Sequence, residues 1–274
     1  TLGCDPITGA PREVIHLPGN SLLPLYAGLA LAVVCLALLF KVYLHAAGAA
    51  AVAVAILLRW SWENGAHPSA APESHDLPQG LKLHSRTFDG PGLWGMGLTL
   101  LADAALFLSL VFGWMYLWTA APAFRPPERS PLPAALLLGC GAVLTAATAW
   151  LQHLVRRLRR EDERGLQWQL FGVALLGALQ TTGLAWLMAT APIAPTSHAH
   201  DAVIAVMLGF LLVHGALGAV LAALQGWRVG HRYVGAHAPY EPAVLAQLWM
   251  FNTGCFWVAA AALLLWPATF AGAS

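Results

Sequence analysis

The stretch that decides the fold is Trp94–Thr119, WGMGLTLLADAALFLSLVFGWMYLWT, a run of 26 residues in which Asp103 is the only acidic or basic side chain. At about 1.5 Å per residue, a helix of this length crosses the roughly 30 Å hydrocarbon core of a bilayer. A carboxylate near the middle of that core costs about 2.5–3.5 kcal/mol on insertion scales, so it needs a partner, a proton or a function. The stretch therefore predicts a membrane helix that carries a functional candidate.

The composition of the whole chain is that of a membrane protein. Its 274 residues are 58% hydrophobic and 10% charged, with a mean hydropathy of +0.65, whereas soluble domains carry about 25% charged residues. The formal net charge is only +1, so no broad basic surface indicates a nucleic-acid partner. The four cysteines, Cys4, Cys35, Cys140 and Cys255, are widely spaced and predict no disulfide framework.

Windows of about 20 apolar residues predict seven transmembrane helices. They are Leu22–Phe40, Val42–Leu58, Leu93–Thr119, Ala134–Val155, Leu166–Ala191, Ala202–Leu224 and Val244–Trp266. The windows lack the alternation of barrel strands, and only helices or closed barrels satisfy their backbone in lipid. The predicted fold class is an all-α integral membrane protein. A cytoplasmic linker rich in proline, residues 64–92, separates a two-helix block (1–63) from a five-helix block (93–274).

The distribution of basic residues predicts the orientation in the membrane. With seven spans, 11 of the 14 Lys and Arg residues fall on one side, including the arginine-rich turn at residues 156–164. Because cytoplasmic loops carry an excess of Lys and Arg, the N-terminus is predicted to be cytoplasmic and the C-terminus outside.

Four polar side chains are predicted to lie at a similar depth in the membrane, measured from its cytoplasmic boundary. Asp103 lies roughly 15 Å and His214 roughly 12 Å from the cytoplasmic boundary, and Asn252 and Thr253 lie at a similar level. These residues predict one polar layer, with a direct or water-mediated contact between Asp103 and His214 as the preferred pairing. For Asp103, a titrating role is favoured over a plain polar contact. For His214 alone, a bond to a backbone carbonyl is favoured over metal ligation.

The sequence predicts no metal or redox centre in this chain. His198-Ala199-His200-Asp201 is read as a solvated turn and helix start with Asp201 as the cap, because no further Cys or carboxylate accompanies the two histidines. A haem or copper centre in a membrane bundle needs several facing histidines, and only His214 is central. Neither haem nor copper is therefore expected to bind here.

Aromatic and charged residues at the end of the second predicted helix indicate a lipid-binding site. Trp60, Trp62 and Glu63, together with His75 and Arg228, are predicted to border a phospholipid site between the two blocks. Trp and Arg suit the headgroup level, and plain interfacial anchoring is the alternative.

Several of these residues occur in an order that resembles cytochrome c oxidase subunit III. Trp94-Gly95-Met96 followed by Asp103 and Phe107 is similar to that family's third helix, with Asp for Glu. The resemblance extends over about residues 58–266 and matches the predicted topology. It also includes the following positions: Trp60, Trp62, Glu63, His75, Gly80-Leu81-Lys82, Gln180, His214-Gly215 and Trp249-Met250-Phe251. The chain departs from the family's pattern at Leu217, Met250 and Thr253.

The resemblance implies a non-catalytic subunit of a haem–copper oxidase in the bacterial inner membrane. Such a subunit packs against catalytic subunit I and subunit II, where haem and copper would reside, holds phospholipid and supports proton uptake in respiratory electron transport. Leu17–Pro24 and the two helices after it are also similar to the tail of bacterial subunit I+III fusions. The alternative is a proton-coupled transporter that uses Asp103, which the lack of an internal repeat disfavours.

Overall fold

The computed structural model describes residues 2–14, 20–64, 82–83, 91–125, 132–236 and 239–269. Seven helices lie within this part of the chain: α1 (Leu23–Leu39), α2 (Tyr43–Asn64), α3 (Pro91–Ala120), α4 (Ala134–Leu158), α5 (Leu166–Thr190), α6 (Ala199–Gly230) and α7 (Tyr240–Thr269). Six of them, α2 to α7, are long and apolar enough to cross a membrane. The remaining helix, α1, has 17 residues, at the lower end of the usual range of about 17–25. The all-α membrane fold class is confirmed.

Most helices extend beyond the apolar windows that predicted them. The second window ends at Leu58, whereas α2 continues to Asn64, and α6 extends past both ends of its window. Hydropathy marks only the part of a helix that lies in hydrocarbon, while the polar turns at either end keep their helical hydrogen bonds outside it.

The chain divides into two compact units, Thr1–Arg86 and Thr87–Ser274. In the first unit, α1 and α2 form a hairpin whose turn is closed by hydrogen bonds from the Lys41 and Val42 amides to the Leu38 and Ala37 carbonyls, at 3.0 and 2.8 Å. Lys41 adopts the left-handed conformation, with φ of 59°, which is common at the C-terminal end of a helix.

The first unit also contains a small three-stranded sheet that the sequence does not reveal. β1 (Leu2–Cys4) pairs antiparallel with β2 (Pro11–Val14), and β2 pairs parallel with β3 (Lys82–Leu83). Strands of two to four residues are too short for a period of two to appear. Because β3 lies at residues 82–83, part of the predicted linker is a strand.

In the second unit, α5 packs between α4 and α6, and α7 contacts α3, α4 and α6. The core between these helices is apolar, and its most deeply buried side chains include Leu144, Leu151, Leu170, Leu184 and Phe256, each at most 1% exposed. The packing brings α3, α6 and α7 together, which are the helices that carry the four predicted polar residues.

The turn between α4 and α5 is held by Arg157. Its guanidinium donates to Asp162 at 2.9 Å, to the Gln169 side-chain oxygen at 3.2 Å and to the Arg164 carbonyl at 3.0 Å. Glu163 accepts a hydrogen bond from the Ala236 amide, which ties this turn to the one between α6 and α7. At least one arginine of the basic cluster therefore has a structural role.

We expect Asp162→Asn to loosen this turn. Hydrogen bonds from the Arg157 side chain and the Arg164 amide hold the pKa of Asp162 below its ordinary value. The carboxylate therefore stabilises the turn fully above its ordinary pKa, and this stabilisation is lost as the pH falls through the lowered pKa. At neutral pH, amide hydrogen exchange at Arg164 should be severalfold faster in Asp162→Asn. Glu161→Gln in the same turn is the control, and equal exchange in the two variants would contradict this role.

Candidate functional site

Asp103 of α3 and His214 of α6 are in contact. His214 Nε2 lies 3.4 Å from Asp103 Oδ2, a long distance for a hydrogen bond. The His214 side chain is 14% exposed and that of Asp103 is 34% exposed. The contact predicted from the depths of these two side chains is therefore confirmed, while their part in proton uptake stays a prediction.

The second nitrogen of His214 determines how many protons this pair holds. His214 Nδ1 lies 2.9 Å from the Phe210 carbonyl oxygen. Because a carbonyl only accepts, Nδ1 must carry a proton, and Nε2 of a neutral ring is then a bare acceptor. A hydrogen bond between Nε2 and the carboxylate therefore needs one more proton, either on Asp103 or on His214 Nε2. We call this pair of side chains the one-proton site.

Aromatic rings fix the imidazole and surround it with apolar surface. The Phe210 ring stacks on His214 with centroids 4.0 Å apart, and Phe251 lies 5.9 Å away. Phe107 of α3 packs on Phe210 at 5.1 Å. An aromatic face also attracts a positive charge on the imidazole. These rings favour a fixed His214 orientation in either protonation state.

Asn252 and Thr253, the other members of the predicted layer, point to different neighbours. Asn252 is 3% exposed, lines a narrow cleft together with His214, and has a side-chain oxygen without a hydrogen-bond partner among the described residues. Thr253 donates to the Trp249 carbonyl at 2.8 Å and pairs with Thr148 of α4 at 2.7 Å. Consecutive helical residues are about 100° apart around the axis, so the two side chains cannot both face His214.

The segment around His200 differs from the solvated turn that the sequence predicts. His200 is 8% exposed, and its ring lies 6.1, 5.6 and 5.5 Å from the rings of Trp114, Trp118 and Phe124. The prediction of a solvated turn is wrong because aromatic side chains from the end of α3 and the following turn cover this histidine.

The cap of α6 is also corrected. His198 Nδ1, rather than Asp201, accepts from an N-terminal amide of the helix, that of His200 at 3.2 Å. Asp201 instead accepts from the Ala194 amide at 3.0 Å and contacts His200 Nδ1 at 2.9 Å. Across the described ranges, no group of three or more His, Cys, Asp or Glu residues could hold a metal ion.

The predicted lipid residues have different surroundings. Trp60 and Trp62 are half-buried in the last turns of α2, and the exposed Glu63 pairs with Arg59 at 2.9 Å. His75 lies outside the described residues. Arg228 is 1% exposed, and its guanidinium donates to both carboxylate oxygens of Glu241 on α7, at 3.1 and 3.0 Å. Arg228 is therefore bound within the protein.

Comparison with known proteins agrees with the resemblance drawn from the residues. No protein-family model matches the chain. A curated relative, cytochrome c oxidase subunit 3 of Synechocystis sp., is 27% identical over 158 residues, which cover 56% of this chain and 67% of the relative. This chain is similar to cytochrome c oxidase subunit III. Together with the apolar helices, the similarity supports a multi-pass membrane protein.

Several of the residues that carry the resemblance to subunit III converge in the structure. Phe107 contacts Phe210, and Phe251 contacts both Phe210 and His214. Gln180 of α5 and Trp249 of α7 pack against the backbone of α6 at Gly215 and Gly218. Residues far apart in the sequence thus form one cluster around the one-proton site.

Two residues that hold predicted site residues in place were not singled out from the sequence. Phe210 holds His214 through its backbone carbonyl and its stacked ring, and its position four residues before the histidine is the available signal. Glu241 could have been paired with Arg228 from their opposite charges at facing helix ends across a short turn.

Proposed function

We propose that this chain is subunit III of a haem–copper cytochrome c oxidase. The observation that carries the proposal is the similarity to cytochrome c oxidase subunit 3 over 158 residues. In this proposal, the chain is a non-catalytic subunit of the bacterial inner membrane, with its N-terminus in the cytoplasm. It packs against subunits I and II, and haem and copper belong to the catalytic partner.

The proposed contribution of the chain is to sustain proton uptake by the partner. In this proposal Asp103 and His214, which are in contact within apolar helices, share one proton, and the partly exposed Asp103 carboxyl exchanges it with the partner subunit. A group that binds a proton in this position can replenish protons near an uptake path without taking part in oxygen reduction. The arrangement supports general proton transfer, which requires groups within hydrogen-bond reach.

Purification in mild detergent from native membranes tests this assignment. A tagged chain should co-purify with two further oxidase subunits, and the purified sample should show the absorbance of haem. A colourless chain without these subunits would contradict the oxidase assignment. If that colourless chain moved a solute together with protons in vesicles, and Asp103→Asn stopped the movement, the proton-coupled transporter would take its place.

We further propose that Trp60, Trp62 and Glu63 hold a phospholipid headgroup at the end of α2. The two half-buried indole rings present apolar faces with a polar N–H, and the neighbouring Arg59–Glu63 pair supplies charge. Amphipathic rings and cations of this kind favour the headgroup level of a bilayer.

The double variant Trp60→Ala/Trp62→Ala should retain less phospholipid after detergent washing. Quantitative lipid mass spectrometry of the purified protein measures the difference. Trp168→Ala is the matched control, because Trp168 is 74% exposed at the start of α5 and has no proposed part in the site. Equal lipid content in the double variant, the control and the unaltered protein would refute the site.

A further inference from the structure

We infer that Gln180 and Gly215 are positioning residues for His214: Gln180 of α5 packs on the bare backbone of α6 at Gly215 and so fixes the imidazole against Asp103. This inference rests on the proposed function of the Asp103–His214 pair. It adds two residues that touch neither Asp103 nor the shared proton.

Gly215 directly follows His214 and allows α5 to approach α6 closely. A Cβ at Gly215 would lie 2.7 Å from Gln180 Oε1 and 3.0 Å from Thr181 Oγ1. The first distance is shorter than real Cβ contacts and the second is tighter than most, so a larger residue would require the Gln180 side chain, or α5 itself, to shift. Close approach at a small residue is the usual way in which membrane helices gain packing contacts.

The same face of α6 also packs against α7, at Gly218. A Cβ at Gly218, one turn after His214, would lie 3.1 Å from Trp249 Nε1 of α7. Trp249 also fills the space at Gly177 of α5, where a Cβ would lie 2.7 Å from the indole ring. The backbone that follows His214 therefore packs against both α5 and α7.

The chemistry of Gln180 is unusual for plain packing. Its side chain is 1% exposed, and neither of its amide atoms has a hydrogen-bond partner among the described residues. A buried amide without partners is costly, and an aliphatic side chain of similar size would fill the space without that cost. An amide oxygen against a glycine backbone is suited to a weak Cα–H···O hydrogen bond, which recurs at helix–helix interfaces. Such a bond to the Gly215 backbone explains why an amide, and not an aliphatic side chain, occupies this buried position.

The Asp103–His214 contact is sensitive to such positioning. At 3.4 Å it already lies at the long end of hydrogen-bond distances, so a displacement of α6 by a few tenths of an ångström would break it. The Phe210 carbonyl belongs to the same helix and would move together with His214. Only the contacts with other helices can hold the imidazole at the right distance from α3.

Gly215→Ala tests the inference, with Gly209→Ala as a matched control on the same helix. A Cβ at Gly209 would meet nothing within 4 Å. Solid-state NMR of the complex labelled with ¹³C-aspartate and ¹⁵N-histidine should show a cross-peak between Asp103 Cγ and His214 Nε2, assigned by its loss in Asp103→Asn. We expect the cross-peak to be lost in Gly215→Ala and retained in Gly209→Ala.

Two further variants keep the test decisive if Gly215→Ala does not assemble. Gln180→Leu keeps the size of the side chain and removes the amide, so it should weaken the cross-peak. Gly215→Ala/Gln180→Ala makes room for the new methyl group and should restore assembly and at least part of the cross-peak. An unchanged cross-peak in both Gly215→Ala and Gln180→Leu would overturn the inference.

The same variants separate this inference from the proposed function. A lost cross-peak with unchanged sustained turnover would support the positioning role and reject a part for the pair in proton uptake. An unchanged cross-peak with reduced turnover in Gly215→Ala would reject the positioning role and leave the function of the pair untouched.

Discussion

Replacing Asp103 with Asn is expected to leave the proposed oxidase complex assembled and to shorten its sustained turnover. Asparagine keeps the size of the side chain and its ability to hydrogen-bond, but it cannot hold the exchangeable proton. The variant keeps the contact and loses the exchangeable proton, and we expect roughly a tenfold loss in proton delivery, equivalent to about 1.4 kcal/mol in the barrier. The number of turnovers before inactivation should fall by a similar factor, whereas the initial rate changes little.

The effect of Asp103→Asn should be largest at alkaline pH, where protons are scarce. Oxygen consumption followed to inactivation from mildly acidic to alkaline pH gives the required profile. Asp103→Glu is the control, because it keeps a titrating carboxyl at the same position. Turnover and inactivation that match the unaltered complex throughout this range would reduce Asp103 to a structural polar contact.

Glu241→Gln is expected to cause a large loss of stability in the five-helix unit. Arg228 is 1% exposed and is bound by both carboxylate oxygens of Glu241. Breaking a buried ion pair costs up to about 3–5 kcal/mol, because the remaining charge loses its opposite charge in a poorly solvated place. The thermal midpoint in detergent should fall accordingly.

A matched exposed pair provides the control for this experiment. Arg59 and Glu63 are also ion-paired, but their side chains are 72% and 43% exposed. Exposed pairs contribute about 1 kcal/mol or less, so Arg59→Ala should change the thermal midpoint only slightly. Similar midpoints for Glu241→Gln and Arg59→Ala would mean that the buried pair adds little to the packing of α6 on α7.

Hydropathy predicts the seven helices because the bilayer requires each span to be long, apolar and internally hydrogen-bonded. Depth arithmetic predicts the contact between Asp103 and His214 because the rise per residue of a helix is constant. Depth alone fails for Thr253, which lies at the right level but is rotated toward Thr148 on α4. Rotation about the helix axis depends on packing between helices, which no single apolar window reveals.

Side-chain environment is the feature that the sequence conveys least well. The spacing of His198, His200 and Asp201 resembles a polar turn, yet His200 is covered by aromatic residues from α3 and from the turn after it. The sequence likewise predicts that Arg228 borders a lipid headgroup, whereas in the structure it is buried and paired with Glu241. In both places, the deciding neighbour comes from another helix or turn.

The hydrogen bond between His214 Nδ1 and the Phe210 carbonyl limits how protons can move through this chain. A histidine that relays a proton from one side of a protein to the other takes it up on one ring nitrogen and releases it from the other, or rotates its ring. His214 can do neither while Nδ1 is bound to its own helix. Nε2 faces Asp103 and is its sole exchangeable position, so a proton arrives and departs by the same face. In the proposed function the pair is therefore a proton reservoir with one opening, and a continuous proton path across the membrane would not pass through it.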